Sequence, residues 1–385
     1  MYATKPLSLF KSHPEAASWP PPDGRNSGYL VVKGPDDDGD DGETCCWGTC
    51  GGTRVRDLSF PQNRVLTVRY TEHHGESSTT YADAVVFVPV PDQPLASNRY
   101  YPVIAAGRHK GLVRAFSREE DMVPCCFCRC VSDVDPQPFD PADIYQQIEV
   151  VQSRRRGRFT ARAVAPDGFP YFLYRKKYWR VYASKPRDFD LGEARGLDAA
   201  LRSRQLSYVA GVLDDAFPAA AAPASTTTAV GKWYSPFFLV VEAGGGVAPR
   251  QQMERSAFYE VALEQRWEPV HAHAGGVSKV ASRKALIGGS VEAKQEVMAS
   301  SRHGGYGYVW FRATAGQRVG VCASVWERMR WEAYRGGWVD EEEDAGKVAG
   351  GSVLVERFVV KRLDGSVVVA FDFVHLNKVR KAAVN

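Results

Sequence analysis

The chain is predicted to be mainly β, a β-rich α+β protein of two antiparallel, sandwich-like domains with one or two short helices. Runs of β-branched and aromatic residues recur along it, separated by turn residues, which is the pattern of strands. Two Asp-Gly dipeptides, Asp167-Gly168 and Asp364-Gly365, sit between such runs and fit hairpin turns. Sustained helical periodicity is scarce.

In the first half the strand candidates are Gly28–Val32, Val65–Tyr70, Ala84–Val90, Tyr100–Ala105, Leu112–Phe116, Ile148–Gln152, Phe159–Ala165 and Tyr171–Tyr182. In the second half they are Phe237–Glu242, Phe258–Trp267, Tyr306–Arg312, Val319–Trp331, Val353–Lys361 and Val367–Val374. The hairpin at Asp364-Gly365 reads most clearly, because Phe358 and Val360 alternate with Val359 and Lys361 before the turn. Val369, Phe371 and Phe373 then share a face after it. Leu191–Leu206 is the helix candidate, with Leu197, Ala200, Leu201 and Arg204 at helical spacing. Residues 214–229, DDAFPAAAAPASTTTA, read as a loop or linker between domains at 1–213 and 230–385. A short echo, Gln265–Glu268 against Met329–Glu332, gives mild support for repeated β-structure.

An apolar fraction of 44% over 385 residues is ample for a packed core. The formal charge of +4 balances 49 basic against 45 acidic residues, so nothing in the bulk composition calls for a polyanion, and nucleic acid is not expected as a partner. The first 24 residues lack a signal-peptide core and no run of apolar residues is long enough to cross a membrane. The expectation is a cytoplasmic protein, with peripheral membrane association left open, whose thiols are mostly reduced.

Seven of the eight cysteines fall in two knots: Cys45, Cys46 and Cys50 in TCCWGTC, and Cys125, Cys126, Cys128 and Cys130 in PCCFCRC. Only Cys322 lies outside them. Thiolates at close spacing are ligands for zinc, and Cys46-x3-Cys50 falls in the usual range, although the second knot is not a standard knuckle. On a strand Cys126, Cys128 and Cys130 would share one face. The competing readings are buried core thiols, since cysteine is among the most buried residue types, and acylation or redox sensing.

Between Arg154 and Arg187 eleven basic residues accompany one acid, Asp167, and many aromatics. Arg175, Lys176, Lys177, Trp179 and Arg180 are therefore the candidate surface for an acidic protein or an anionic membrane. A hairpin that buries its rings and solvates its charges would give the same pattern. Catalytic marks are missing: there is no H-E-x-x-H, G-x-G-x-x-G, Walker loop or G-x-S-x-G. Gly48-Thr49-Cys50-Gly51-Gly52 has the letters of a nucleophile elbow without its strand and helix. The sequence therefore leans away from catalysis and no cofactor beyond zinc is expected. An enzyme with a non-standard site would need the carboxylates of Glu264–Glu268 and Glu327–Glu332 on paired strands.

The blocks MYATKPLSLF, PPPDGRNSGYLVV, DLSFPQNRVLTVRY, EEDMVPCCFC, DPADIYQQIEV, PDGFPYFLYRKKYWRVY, VGKWYSPFFLVVE and VWERMRWE, with the LDGS turn, together resemble the DUF1262 family of land-plant proteins. The likeness runs from Met1 to about Lys378. That family is named for its unknown function, so no catalytic set carries over. The resemblance implies a plant source and an association with stress or defence. A non-catalytic binding or scaffold protein is the function expected, with a zinc protein using both cysteine knots as the alternative.

Overall fold

The computed structural model describes residues 1–22, 24–35, 37, 54–125, 128–207, 227–243, 247–270, 272–273, 276–277, 283–296, 307–335 and 351–381. The protein is mainly β and its strands form two large sheets. Among the described residues the larger has twelve strands. Its path runs Val240–Ala243, Arg318–Cys322, Tyr308–Ala313, Val291–Glu296, Arg283–Ile287, Val367–Lys381, Gly351–Arg362, Phe258–Val270, Thr228–Pro236, Tyr2–Pro6 and Gly28–Val32, with Gly196–Leu197 also on Thr228–Pro236. All pairs are antiparallel except Tyr2–Pro6 with Gly28–Val32. The smaller sheet runs Phe159–Ala163, Ile148–Gln152, Arg99–Ile104, Ser77–Pro89, Leu66–His74, Arg180–Ala183 and Arg54–Val55.

The strand Ser77–Pro89 explains how the sheets stack. Its run Val85, Val86, Phe87, Val88 is continuously apolar, the composition of a strand covered on both faces. Because successive side chains point to opposite faces, Val85 and Phe87 join a core with Phe60, Tyr100, Phe159, Tyr174 and Trp179. Val86 and Val88 enter the main core with Trp233, Phe237, Phe258 and Phe358 from the larger sheet. The hairpin at Asp364-Gly365 forms as expected: Gly365 takes a φ of +85°, and Phe358, Val360, Val369, Phe371 and Phe373 all lie in the main core.

Several expectations are corrected. The chain does not divide at residues 214–229, since Tyr2–Pro6, Gly28–Val32 and Gly196–Leu197 build the same sheet as the C-terminal strands. Residues 214–226 lie outside the described residues, and Thr228 already begins a strand. There are five α-helices among the described residues, not one or two: Leu7–Ser12, Phe172–Arg175, Ala199–Ser207, Pro249–Arg255 and Ala323–Arg335. The expected strand Val319–Trp331 ends at Cys322 and becomes the helix Ala323–Arg335, in which Val325 and Met329 fall one turn apart in the core. The echo of QRWE in MRWE therefore joins a strand to a helix and marks no duplicated β-unit. Asp167-Gly168 makes no hairpin either. Phe159–Ala163 pairs with Ile148–Gln152, whereas Arg180–Ala183 pairs with Leu66–His74 and Arg54–Val55.

Candidate functional site

The helix Ala323–Arg335 sets Arg328, Trp331, Glu332 and Arg335 on one side, at spacings of three, four and seven residues. Arg328, Glu332 and Arg335 form a wall of an open cleft of about 430 Å³. Trp19 and the proline run Pro20, Pro21 and Pro22 supply another wall, stiff because each pyrrolidine ring fixes its own φ. Tyr29, Gly196, Leu197 and Trp233 line the remainder, with Arg195 at the margin. Trp331 lies between two guanidinium groups, 4.6 Å from Arg328 and 4.7 Å from Arg335 measured to its ring centre. Gly24, with φ of +96°, packs against this stack: a Cβ there would collide with the Arg328 guanidinium and lie 2.8 Å from the Trp331 ring.

Behind the cleft is a buried ionic network. Arg202 donates through Nε and Nη2 to the two carboxylate oxygens of Glu356 at 2.8 and 2.7 Å, and through Nη1 to the Glu332 carbonyl at 2.9 Å. Gln265 donates to Glu356 at 2.7 Å. Arg328 donates to Glu332 Oε1 at 2.6 Å, leaving Glu332 Oε2 with no hydrogen bond. Burial pushes the Glu332 carboxyl above the usual carboxylate range, against the pull of Arg328, Arg335 and Arg202 and with a contribution from Glu356. The indole N–H of Trp233, a fully buried residue, has no hydrogen-bond partner. It faces Gly196, where an added Cβ would stand 3.0 Å from Nε1. Three arginines thus line the cleft against one carboxylate, among three aromatic rings and an unmatched donor.

The cysteine knots resolve differently. Cys45, Cys46, Cys50 and Cys126 lie outside the described residues, so their convergence with the rest is not part of the description. Met122–Cys125 and Cys128–Val131 form an isolated hairpin in which Cys125 pairs with Cys128 and Val123 with Cys130. That register puts Cys125, Cys128 and Cys130 on one face. Cys125 and Cys130 form a disulfide, which corrects the expectation of free thiols at this pair. Cys128 is a free, exposed thiol, its sulfur 3.3 Å from that of Cys125. Cys322 is buried, and burial pushes its thiol up.

Against known proteins, a family model described as "Protein of unknown function (DUF1262)" matches residues 23–127. Residues 23–127 are thus similar to the DUF1262 model. The match bears out the family resemblance over residues 23–127, a range that contains Tyr29 of the cleft and both cysteine knots as far as Cys126. No curated protein matches the chain by sequence. Among solved structures, the crystal structure of Cry35Ab1 aligns with a TM-score of 0.40 at 8% identity, over 83% of this chain and 90% of that one.

The basic and aromatic segment lies beyond the matched residues 23–127 and is not a continuous charged surface. Trp179 is fully buried, tilted against Phe159 and edge-on to Tyr174, with its indole N–H donating to the Tyr174 carbonyl at 3.2 Å. Arg175 pairs with Asp133 at 3.0 Å and Lys176 with Glu72, so these cations are matched by acids distant in sequence. Only Lys177 and Arg180 of the five are exposed. The paired-strand carboxylate site is not formed: Glu264 on its strand pairs with Lys361 at 3.0 Å, while Glu327 and Glu332 are on a helix. Among the described residues, no helix is long and apolar enough to cross a membrane.

Sequence reasoning missed the cleft altogether. The one local signal was the i, i+3, i+4, i+7 placement of Arg328, Trp331, Glu332 and Arg335, hidden by a strand-like reading of VGVCASVW.

Proposed function

We propose that the protein is a non-catalytic binding protein whose cleft holds a small organic anion with a flat apolar body. The observation that carries this is the joining of Arg195, Arg328 and Arg335 to Trp19, Tyr29 and Trp233 in one cleft. Guanidinium groups recognise carboxylate or phosphate geometry, and the proline and aromatic walls offer area to a planar body. The cleft volume is within the range of small-molecule sites. A cytoplasmic role in plant stress or defence belongs to the same proposal and is supported by the DUF1262 resemblance.

Calorimetric titration with 1-naphthoate and its neutral counterpart 1-naphthamide tests the reading. Naphthoate should bind at least about tenfold more tightly, since a charge-assisted hydrogen bond contributes roughly 1.5–3 kcal/mol. Arg335→Glu should erase that preference while leaving the fold intact, because Arg335 is exposed at the helix end. Equal affinities for the two probes would refute the proposal.

A pH dependence follows from Glu332. Its carboxyl titrates above the usual range, so on acidification it loses its negative charge before an ordinary glutamate would. The cleft then becomes more cationic. Naphthoate affinity should therefore rise as pH falls through the Glu332 transition while naphthamide affinity stays level, provided naphthoate itself remains ionised.

A further inference from the structure

The strand pair Met122–Cys125 and Cys128–Val131 carries a second site, independent of the cleft. Its register brings Cys125, Cys128 and Cys130 to one face, with all three sulfurs within 4.8 Å of one another. Two of these sulfurs are joined in the Cys125–Cys130 disulfide, and Cys128 lies 3.3 Å from Cys125. Metal–thiolate bonds of about 2.3 Å put the sulfurs of one metal centre roughly 4 Å apart, a separation the same register allows once that disulfide is reduced. No histidine or carboxylate joins the group among the described residues. Two of the three positions are exposed and the third is half-buried, which leaves the face open to an incoming ion.

We infer that the reduced hairpin is a three-thiolate site for monovalent copper, closed by the Cys125–Cys130 disulfide. Among the described residues the donor set is three sulfurs, and that set selects the metal. A structural zinc site is almost always completed to four ligands, whereas an all-sulfur, three-donor set matches the softness and low coordination number of monovalent copper. The disulfide decides the gate. While Cys125 and Cys130 share a bond, Cys128 is the one described thiol of the hairpin that can offer a thiolate, and one exposed thiolate holds an ion weakly.

Opening the site is a balanced exchange. A dithiol reductant attacks one sulfur of the pair, forms a mixed disulfide and resolves it with its second thiol. Two electrons and two protons pass to Cys125 and Cys130, and the reductant leaves as its own disulfide. The copper ion then displaces the thiol protons of Cys125, Cys128 and Cys130, so binding releases up to three protons and weakens as pH falls.

The test uses the full chain with Cys45, Cys46 and Cys50 changed to Ser, so that the first knot contributes nothing. After reduction with dithiothreitol and its removal without air, the protein is titrated with monovalent copper against bathocuproine disulfonate. One copper per chain should bind in competition with the chelator. Cys128→Ser should lower the affinity at least tenfold, the oxidised chain should bind no better than that variant, and zinc should compete poorly. Circular dichroism confirms that the variant retains its strands, and Cys130→Ser provides a second reading of the same loss. Equal copper affinity in the reduced parent, the oxidised parent and Cys128→Ser would overturn the inference, as would stoichiometric zinc with no copper.

Discussion

Trp179→Ala should destabilise the protein by about 3–5 kcal/mol, the cost of removing a fully buried large aromatic. The indole fills the core of the smaller sheet, 5.4 Å from the Phe159 ring and 6.1 Å from that of Tyr174. Alanine leaves a cavity and strips the Tyr174 carbonyl of its indole donor. Arg180→Glu, one residue away on the exposed side, should change stability by no more than about 0.5 kcal/mol. The contrast in urea midpoints is the informative measurement. If both variants shift the midpoint equally, Trp179 is not the core residue described.

The second large effect is expected at Arg202→Ala, with a loss of about 3–5 kcal/mol, because truncation leaves the buried Glu356 carboxylate without its bidentate partner. Arg202 and Glu356 are both buried, and the neutral amide of Gln265 supplies no charge to balance the carboxylate. Arg202→Met combined with Glu356→Met should recover a substantial part of the loss, since well-packed apolar replacements avoid the desolvation that a lone ion suffers. A double variant no more stable than the single one would show that the Glu332 carbonyl contact, also made by Arg202, dominates instead. This network underlies the cleft wall, so Arg202→Ala should also weaken naphthoate binding.

Trp179 shows what the linear pattern could and could not convey. The stretch from Arg175 to Arg180 alternates cations and rings, which is consistent with either an exposed binding face or a strand that hides its aromatics. The choice depends on Glu72 and Asp133, which neutralise Lys176 and Arg175 from other elements. Pairing across such sequence distances leaves no local trace. The helix Ala323–Arg335 was hidden for a related reason: its first residues continue the apolar run of Arg318–Cys322, and short apolar runs have no distinguishing period. The Asp167-Gly168 turn failed because its flanking segments found better partners in Ile148–Gln152 and Leu66–His74.

By itself the sequence determined the β-rich class, the hairpin at Asp364-Gly365, the family resemblance and the clustering of thiols at Cys125–Cys130. These depend on neighbours along the chain, where side-chain alternation, turn chemistry and spacing act directly. Tertiary structure alone decided that Tyr2–Pro6 completes the sheet of the C-terminal strands and that Trp179 is core. It also decided that Trp19, Tyr29, Trp233 and Arg335 meet around one cleft. Those outcomes follow from burying apolar faces and matching charges between segments far apart in sequence, and the free energy of such contacts exists only once the sheets have stacked.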